Sequence, residues 1–418
     1  MNSRRHFLKA MSSAGLIAFS SPRESHAREQ DALAAARQMK NTIVKSIAVY
    51  VVKVNARGNW VFVQLTTHDG VVGIGEASHG GNDVSKTNVE QELQGFFELV
   101  KEQSPFAIGQ YRQRGWQRAR ASRTSATAFS AIEQALWDIQ GKTLGIPVHQ
   151  LLGGKLRDNI KVYANINRGT NEKDEQGRRL ASAFQRNAEL AVGQGFKAIK
   201  MAPFDEMKPL PSTTGQIESD ISHAIECLRA VRQTIGNDVD LLVDVHSHLN
   251  EALGIEVAKA LEPLKLFWYE EAVNPQKFVK EAKAITEATV LTTAGGESVF
   301  GREGFAPLIE SKAFDILMPD VKHCGGIQEL KYIAAMAETA GLSVAPHNPS
   351  GPVASAASVA AVATIPNFSI LELAYGEVPW RSSLIDPAEE FSNGFTRITD
   401  RPGFGISLNV KQLGKYKV

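Results

Sequence analysis

The sequence predicts an α/β protein built as a parallel β/α barrel preceded by a smaller α+β domain. Three observations carry that reading. Residues 42–77 alternate as strands do, residues 84–152 follow a helical period, and beyond Lys161 eight short apolar runs alternate with amphipathic stretches.

The first strands read as "TIVKSIAVYVVKV" (42–54) and "WVFVQLTTHDGVVGIGEA" (60–77), with "HDG" (68–70) as a hairpin turn. In "TSATAFSAIEQALWDIQGKTLG" (124–145), Ala131, Ile132, Ala135, Leu136 and Ile139 fall on one stripe, which predicts a helix buried along that face. The barrel strands follow as "KVYANIN" (161–167), "AIKMAP" (198–203), "LLVDVH" (241–246) and "LFWYEE" (266–271). They continue as "TVLTTAGGE" (289–297), "FDILMPD" (314–320), "LSVAPH" (342–347) and "FSILELA" (368–374). Helices such as "LKYIAAMAETAG" (330–341) lie between them, and Gly341 is the expected stop.

Polar residues at the strand ends recur with a nearly fixed step. Asp244, Glu270, Glu297, Asp320, His347 and Glu372 are separated by 23 to 27 residues, about one strand–helix unit each. Successive units would therefore present one polar group at the same rim, the C-terminal rim where barrel enzymes do their chemistry. An open doubly wound sheet would gather its site at one crevice instead. Between Lys200 and Asp244 the step is longer, and "PFDEMKPLPSTTGQIE" (203–218) reads as a long loop at that rim, suited to a lid.

At 418 residues, 43% hydrophobic and 22% charged, the chain can bury a large core and is not disordered wholesale. A net charge of +1 gives no reason to expect nucleic acid or an anionic membrane as partner. The basic run "RQRGWQRARASR" (112–123) suits a helix face or a subunit contact. Cys227 and Cys324 form no CxxC, so neither a zinc ribbon nor a disulfide framework is indicated, and a single disulfide stays open.

The start is different in kind. "SRRHFLKA" (3–10), the short apolar "MSSAGLIAF" (11–19) and "SHA" (25–27) resemble a twin-arginine export signal, with Arg4, Arg5, Phe7, Leu8 and Lys9 in the expected places. The apolar run is too short to span a membrane. Residues 1–27 are thus expected to serve the twin-arginine export machinery and deliver the folded protein to the periplasm. A linker (28–41), the α+β domain (42–155), the barrel (156–374) and a C-terminal segment (375–418) are expected to follow.

Asp244, Glu270 and Glu297 would repel one another and protonate unless something positive sat between them. Hard cations take oxygen ligands, and Mg²⁺ is held by a few carboxylates with room left for water and substrate oxygens. These three are the expected Mg²⁺ ligands; Glu271, which alternation points away from the axis, is expected in a salt bridge behind them. Asp320 beside His347 can fix an imidazole's tautomer and raise its basicity, as a general base requires. Lys200 is placed to steady a substrate carboxylate or transfer a proton, and Glu372 to hydrogen-bond a substrate oxygen. His246 shares a face with Asp244 if the strand persists, while His248 falls at its end. The pair His246-x-His248 superficially matches a zinc site, but that reading leaves Glu270 and Glu297 without a role.

The segments carrying these residues, "DGVVGIGEA", "SAIEQALWDIQGKTLGIPVHQLLGG", "VDVH", "WYEEA", "GGES", "PDVKHCGGI" and "PHNPSGP", resemble the enolase superfamily in its mandelate racemase/muconate lactonizing enzyme group, across nearly all of 43–418. The resemblance implies a (β/α)7β modified TIM barrel, with an α+β capping domain completed by the C-terminal segment, and Asp244, Glu270 and Glu297 as the Mg²⁺ triad. It also implies a homo-oligomer. Racemase-like members carry Lys-x-Lys on the second strand; here the segment is Lys200-Met201-Ala202. The Asp-x-His at 244–246, with His347 and Asp320, is similar instead to acid-sugar dehydratases of the galactonate type. That likeness implies His347, oriented by Asp320, as the base that removes the proton α to the carboxylate, and His246 as the acid that assists loss of the β-hydroxyl. The product would be a 2-keto-3-deoxy acid. With His246 or Lys200 as a second base, an epimerase or cycloisomerase of the same superfamily is the alternative.

Overall fold

In the computed structural model, which describes residue 39 and residues 41–55, 58–78 and 88–418, three antiparallel strands open the fold. β1 (Val44–Asn55), β2 (Gly58–Thr67) and β3 (Val72–Glu76) are rich in the β-branched and aromatic residues that suit a pleated, half-buried surface. The expected turn joins β2 to β3, where Gly70 has φ +85° and donates its N–H to the Thr67 carbonyl at 3.1 Å. The export signal expected at 1–27, and all of the expected linker except residues 39 and 41, lie outside the described residues.

Helices α1 (Val89–Phe97) and α2 (Ile108–Ala119) lead to α3 (Arg123–Leu144), which begins and ends one residue before the expected bounds. The Ser122 side chain caps its first turn and Gly145, at φ +69°, ends it. All five residues of the predicted stripe are buried. Helix and sheet meet closely: a side chain at Gly73 or Gly75 would run into the backbone carbonyls of Ala135 and Ala131. A single turn, α4 (Val148–Leu151), follows.

Eight parallel strands come next. They are β4 (Asn159–Asn165), β5 (Ala198–Met201), β6 (Asp240–Asp244), β7 (Trp268–Glu270), β8 (Thr293–Gly295), β9 (Ile316–Leu317), β10 (Ser343–Val344) and β11 (Leu371–Ala374). β11 pairs with β4, and Val344 bridges to Phe368 just before β11, so the sheet closes. Connecting them are α5 (Ala181–Gly193), α6 (Thr214–Ile235), α7 (Glu251–Leu261), α8 (Val279–Ala288), α9 (Gly301–Ser311), α10 (Ile327–Thr339) and α11 (Pro352–Val362). The expected (β/α)7β barrel is what forms, with Gly341 at φ +74° after α10. Alternation divides the side chains: Leu241 and Val243 pack outward toward the helices, while Leu242 joins Tyr163, Trp268, Ala294 and Met318 inside. Several strands are shorter than expected; β6 stops at Asp244 and β8 at Gly295.

The C-terminal segment forms β12 (Ile385–Asp386), β13 (Phe391–Ser392), β14 (Phe395–Arg397), β15 (Ser407–Leu408) and α12 (Val410–Leu413). β14 pairs antiparallel with β4. The chain then returns to the first sheet, where Lys53 donates to the Tyr416 carbonyl at 2.9 Å and Val418 to Val51 at 3.1 Å.

Three buried acids tie the capping domain to the rest. Glu76, at the end of β3, accepts N–H from Gly351 at 2.7 Å and Ala354 at 2.8 Å, capping the start of α11. Glu133 of α3 accepts from Ile327 and Gln328 at the start of α10, and Asp138 from Phe404. The helix N-termini that Glu76 and Glu133 meet welcome such charge, although burial pushes all three carboxyls above their ordinary range. The basic run makes internal contacts too: Arg112 donates to the Gly325 carbonyl at 2.7 Å and pairs with Glu329. Cys227 and Cys324 are both buried free thiols, and burial pushes Cys227 up to about 12. Among the described residues, no helix is long and apolar enough to cross a membrane.

Candidate active site

Asp244 and Glu270 are the last residues of adjacent strands and pair in register. Inward alternation sets both above Leu242 and Trp268, at the C-terminal rim. Glu297 lies two residues beyond β8, after Gly296 at φ +110°. Its loop is held from below by Glu271, which accepts N–H from Gly296 at 2.7 Å and Glu297 at 3.2 Å. This corrects the salt bridge expected of Glu271. Its φ of +40° turns it aside from strand alternation, and its buried carboxylate is satisfied by backbone donors.

Lys200, about 1% exposed, answers part of the charge problem. Its Nζ lies 3.0 Å from Glu270, 3.2 Å from Glu372 and 3.5 Å from Asp244. Burial alone would lower its pKa, but the Glu270 and Glu372 carboxylates hold it well above the usual lysine range. Glu270 also accepts from Trp268 Nε1 at 2.9 Å. Glu372 accepts from Asn165 Nδ2 at 2.6 Å and from the Asn348 N–H at 2.9 Å, so the protein itself engages both oxygens expected to meet substrate. Removing one partner of a buried ion pair typically costs about 3–5 kcal/mol. Lys200→Met is therefore expected to lower unfolding free energy by roughly that amount, read by urea denaturation; an unchanged midpoint would show that Lys200 does not bear this load.

The expected Asp320–His347 pair is present. His347 Nδ1 lies 2.7 Å from Asp320 Oδ2. Asp320 also accepts from the Lys322 N–H and from Lys322 Nζ, both at 2.7 Å. Burial would raise the Asp320 carboxyl, but Lys322, His323 and His347 hold it well below the usual carboxylate range. His347 Nε2 points at the cluster, 2.9 Å from Glu297 Oε2 and 4.0 Å from Glu372. Burial opposes its charge, yet Glu297 and Glu372 push its pKa up to about 9.

His246 reaches the cluster by a route that alternation did not foresee. The strand does not persist; His246 and Ser247 sit at φ +48° and +62°, left-handed positions that are uncommon for such residues. The turn brings His246 Nε2 to 2.9 Å from Asp244 Oδ2. Its Nδ1 faces Asp205, which comes from the loop after β5. Burial disfavours the imidazolium, but Asp244 and Asp205 hold its pKa well above the ordinary value. The side chain remains 34% exposed, enough to meet a ligand. His248 does not join the carboxylates, and burial lowers its pKa. The expected loop is shorter than read, because α6 begins at Thr214. Its inner end is pinned, with Phe204 and Met207 buried.

Ligand atoms of Asp244, His246 and Glu297 all lie within 4.8 Å of one another. Glu297 Oε2 is buried and, despite its closeness to His347, has no aligned hydrogen-bond donor. An unsatisfied buried carboxylate oxygen among convergent acids fits a hard divalent cation. Glu270 is the outlying member of the expected triad, drawn toward Lys200 and Trp268 by its need for donors in a buried site. A cavity of about 690 Å³ under the C-terminal segment reaches this region only through Asn348 and Glu372.

Comparison with known proteins identifies the family. Residues 183–412 match the enolase C-terminal domain-like family and residues 36–153 the mandelate racemase/muconate lactonizing enzyme N-terminal domain. D-gluconate dehydratase of Thermoproteus tenax is 31% identical over 90% of this chain and 73% of its own length. D-galactonate dehydratase of Variovorax paradoxus is 31% identical over 85% of this chain and 90% of its own. The crystal structure of a mandelate racemase/muconate lactonizing enzyme from Sulfitobacter sp. superposes with a TM-score of 0.80, at 28% identity, covering 90% of this chain and 96% of that one.

Proposed function

Because the chain belongs to the mandelate racemase/muconate lactonizing enzyme group of the enolase superfamily and is an enzyme of the dehydratase kind, we propose that it dehydrates an acid sugar to a 2-keto-3-deoxy acid with the help of Mg²⁺. The observation that carries this reading is the placement of two imidazoles on one carboxylate cluster. His347 presents Nε2 beside Glu297 and His246 presents Nε2 beside Asp244, each at 2.9 Å. One nitrogen can take a proton while the other gives one.

In this reading His347 Nε2 removes the proton α to the substrate carboxylate, with Asp320 holding the ring through Nδ1. His246 Nε2 donates a proton to the β-hydroxyl as its carbon–oxygen bond breaks. The α-hydrogen and β-hydroxyl leave as water, and the enol that remains takes a proton at C3 to become the 2-keto acid. Asp244, Glu270 and Glu297 would hold Mg²⁺, which supplies positive charge for the enolate form of the carboxylate, a stabilisation of several kcal/mol. Lys200 has the carboxylates of Asp244, Glu270 and Glu372 around its ammonium, an arrangement that supports it as a charge partner and not as a second base.

The twin-arginine pattern at 3–10 supports export of the folded enzyme, and we place the reaction in the periplasm. The likeness also supports assembly as a homo-oligomer. The test is a screen of aldonic and aldaric acids with Mg²⁺, gluconate, xylonate and galactonate included because relatives are named for them. A 2-keto acid trapped by semicarbazide is the expected product. Exchange of the α-hydrogen in deuterated water with both hydroxyls retained, and no keto acid from any substrate, would favour the epimerase instead.

A further inference from the structure

We propose that Asp205 is a positioning residue for His246, so that the acid is the working half of a second His–carboxylate pair facing His347–Asp320. The inference deepens the dehydratase reading and rests on it. Asp205 Oδ1 lies 2.5 Å from His246 Nδ1, as Asp320 Oδ2 lies 2.7 Å from His347 Nδ1. Both rings thus spend Nδ1 on an acid behind them and turn Nε2 toward the metal-binding carboxylates. An Nδ1–H bonded to a carboxylate fixes which nitrogen faces the reaction.

The support behind Asp205 is rigid. Its other oxygen accepts from Asn167 Nδ2 at 3.1 Å and pairs with Arg179 Nη2 at 3.0 Å. Arg179 is about 1% exposed; it also donates to Asn167 and the Ala202 carbonyl and pairs with Glu206 at 2.8 Å. The loop carrying Asp205 is therefore anchored at its root. On the other side His246 sits in left-handed backbone past the end of the strand, while Val245 and Ser247 on either side still donate their N–H groups to the Glu270 and Glu271 carbonyls at 3.1 and 2.7 Å, so the backbone is held and the ring is what needs a partner. The Asp244 carboxylate steadies its N–H at 2.9 Å, and Asp205 steadies its ring.

The test separates the two halves of the reaction. Asp205→Asn is expected to slow formation of the 2-keto acid by roughly 10- to 100-fold, the usual scale for losing a histidine's supporting partner. Exchange of the α-hydrogen into unreacted substrate, the work of His347, should stay within about threefold of wild type on that same scale. A substrate with fluoride at the β-carbon, which leaves without a proton, should restore elimination. In a His246→Gln background Asp205→Asn should cost nothing further, because a residue acting through His246 has nothing left to position. Wild-type dehydration by Asp205→Asn, or equal loss of exchange and dehydration, would overturn the proposal. Exchange without any keto acid from the wild-type enzyme would instead overturn the dehydratase reading, and this pair with it.

Discussion

Replacing His347 by asparagine is expected to abolish α-hydrogen exchange and to lower kcat for dehydration by roughly 10²–10⁴, the contribution of a well-placed general base. The ring is buried, 7% exposed, with Asp320 behind its Nδ1 at 2.7 Å. Asparagine keeps most of the volume and leaves Asp320 with Lys322, so circular dichroism should match wild type. The decisive measurement is proton exchange followed by NMR in deuterated water. If the variant still exchanged the α-hydrogen at the wild-type rate, the base would have to be sought elsewhere in the cluster.

Chelation is expected to have an effect of similar size. Dialysis against EDTA should abolish keto acid formation, and Mg²⁺ should restore it with one ion bound per chain by elemental analysis. Several kcal/mol of lost stabilisation corresponds to about three powers of ten in rate. The fold should survive, because Lys200 and both imidazoles already lie against the acids that would hold the ion. Glu297→Gln should raise the Mg²⁺ concentration needed for half-maximal activity, since it replaces a carboxylate whose buried Oε2 has no aligned donor. Full activity in metal-free protein would refute the assignment of these residues.

Much of the architecture was legible because regular elements advertise themselves. The stripe on α3, the turn at 68–70 and the recurring strand-end residues each arise from a repeating backbone geometry that leaves a period in the chain. Where the backbone leaves that geometry, the text falls silent. His246 reaches the cluster without alternation, which ends at Asp244; a left-handed turn does the placing. Glu271 departs from alternation for the same cause, at φ +40°. Asp205, Asn165 and Arg179 carry no periodic signal; they lie 41, 207 and 12 positions from His246, Glu372 and Asn167, and only tertiary folding brings them together. Lys322 was nearer to hand, two residues past Asp320, and its bond to that acid is local enough to have been sought.

The bond between Glu76 and Gly351 has a further consequence. Gly351 stands four residues after His347 and opens α11, while Glu76 belongs to the sheet laid down first in the chain. A strand remote from the barrel axis therefore helps to hold the peptide on which the base is mounted. Substitutions on that strand can alter turnover through this contact alone, and severing the front of the protein would deprive the rear of its footing.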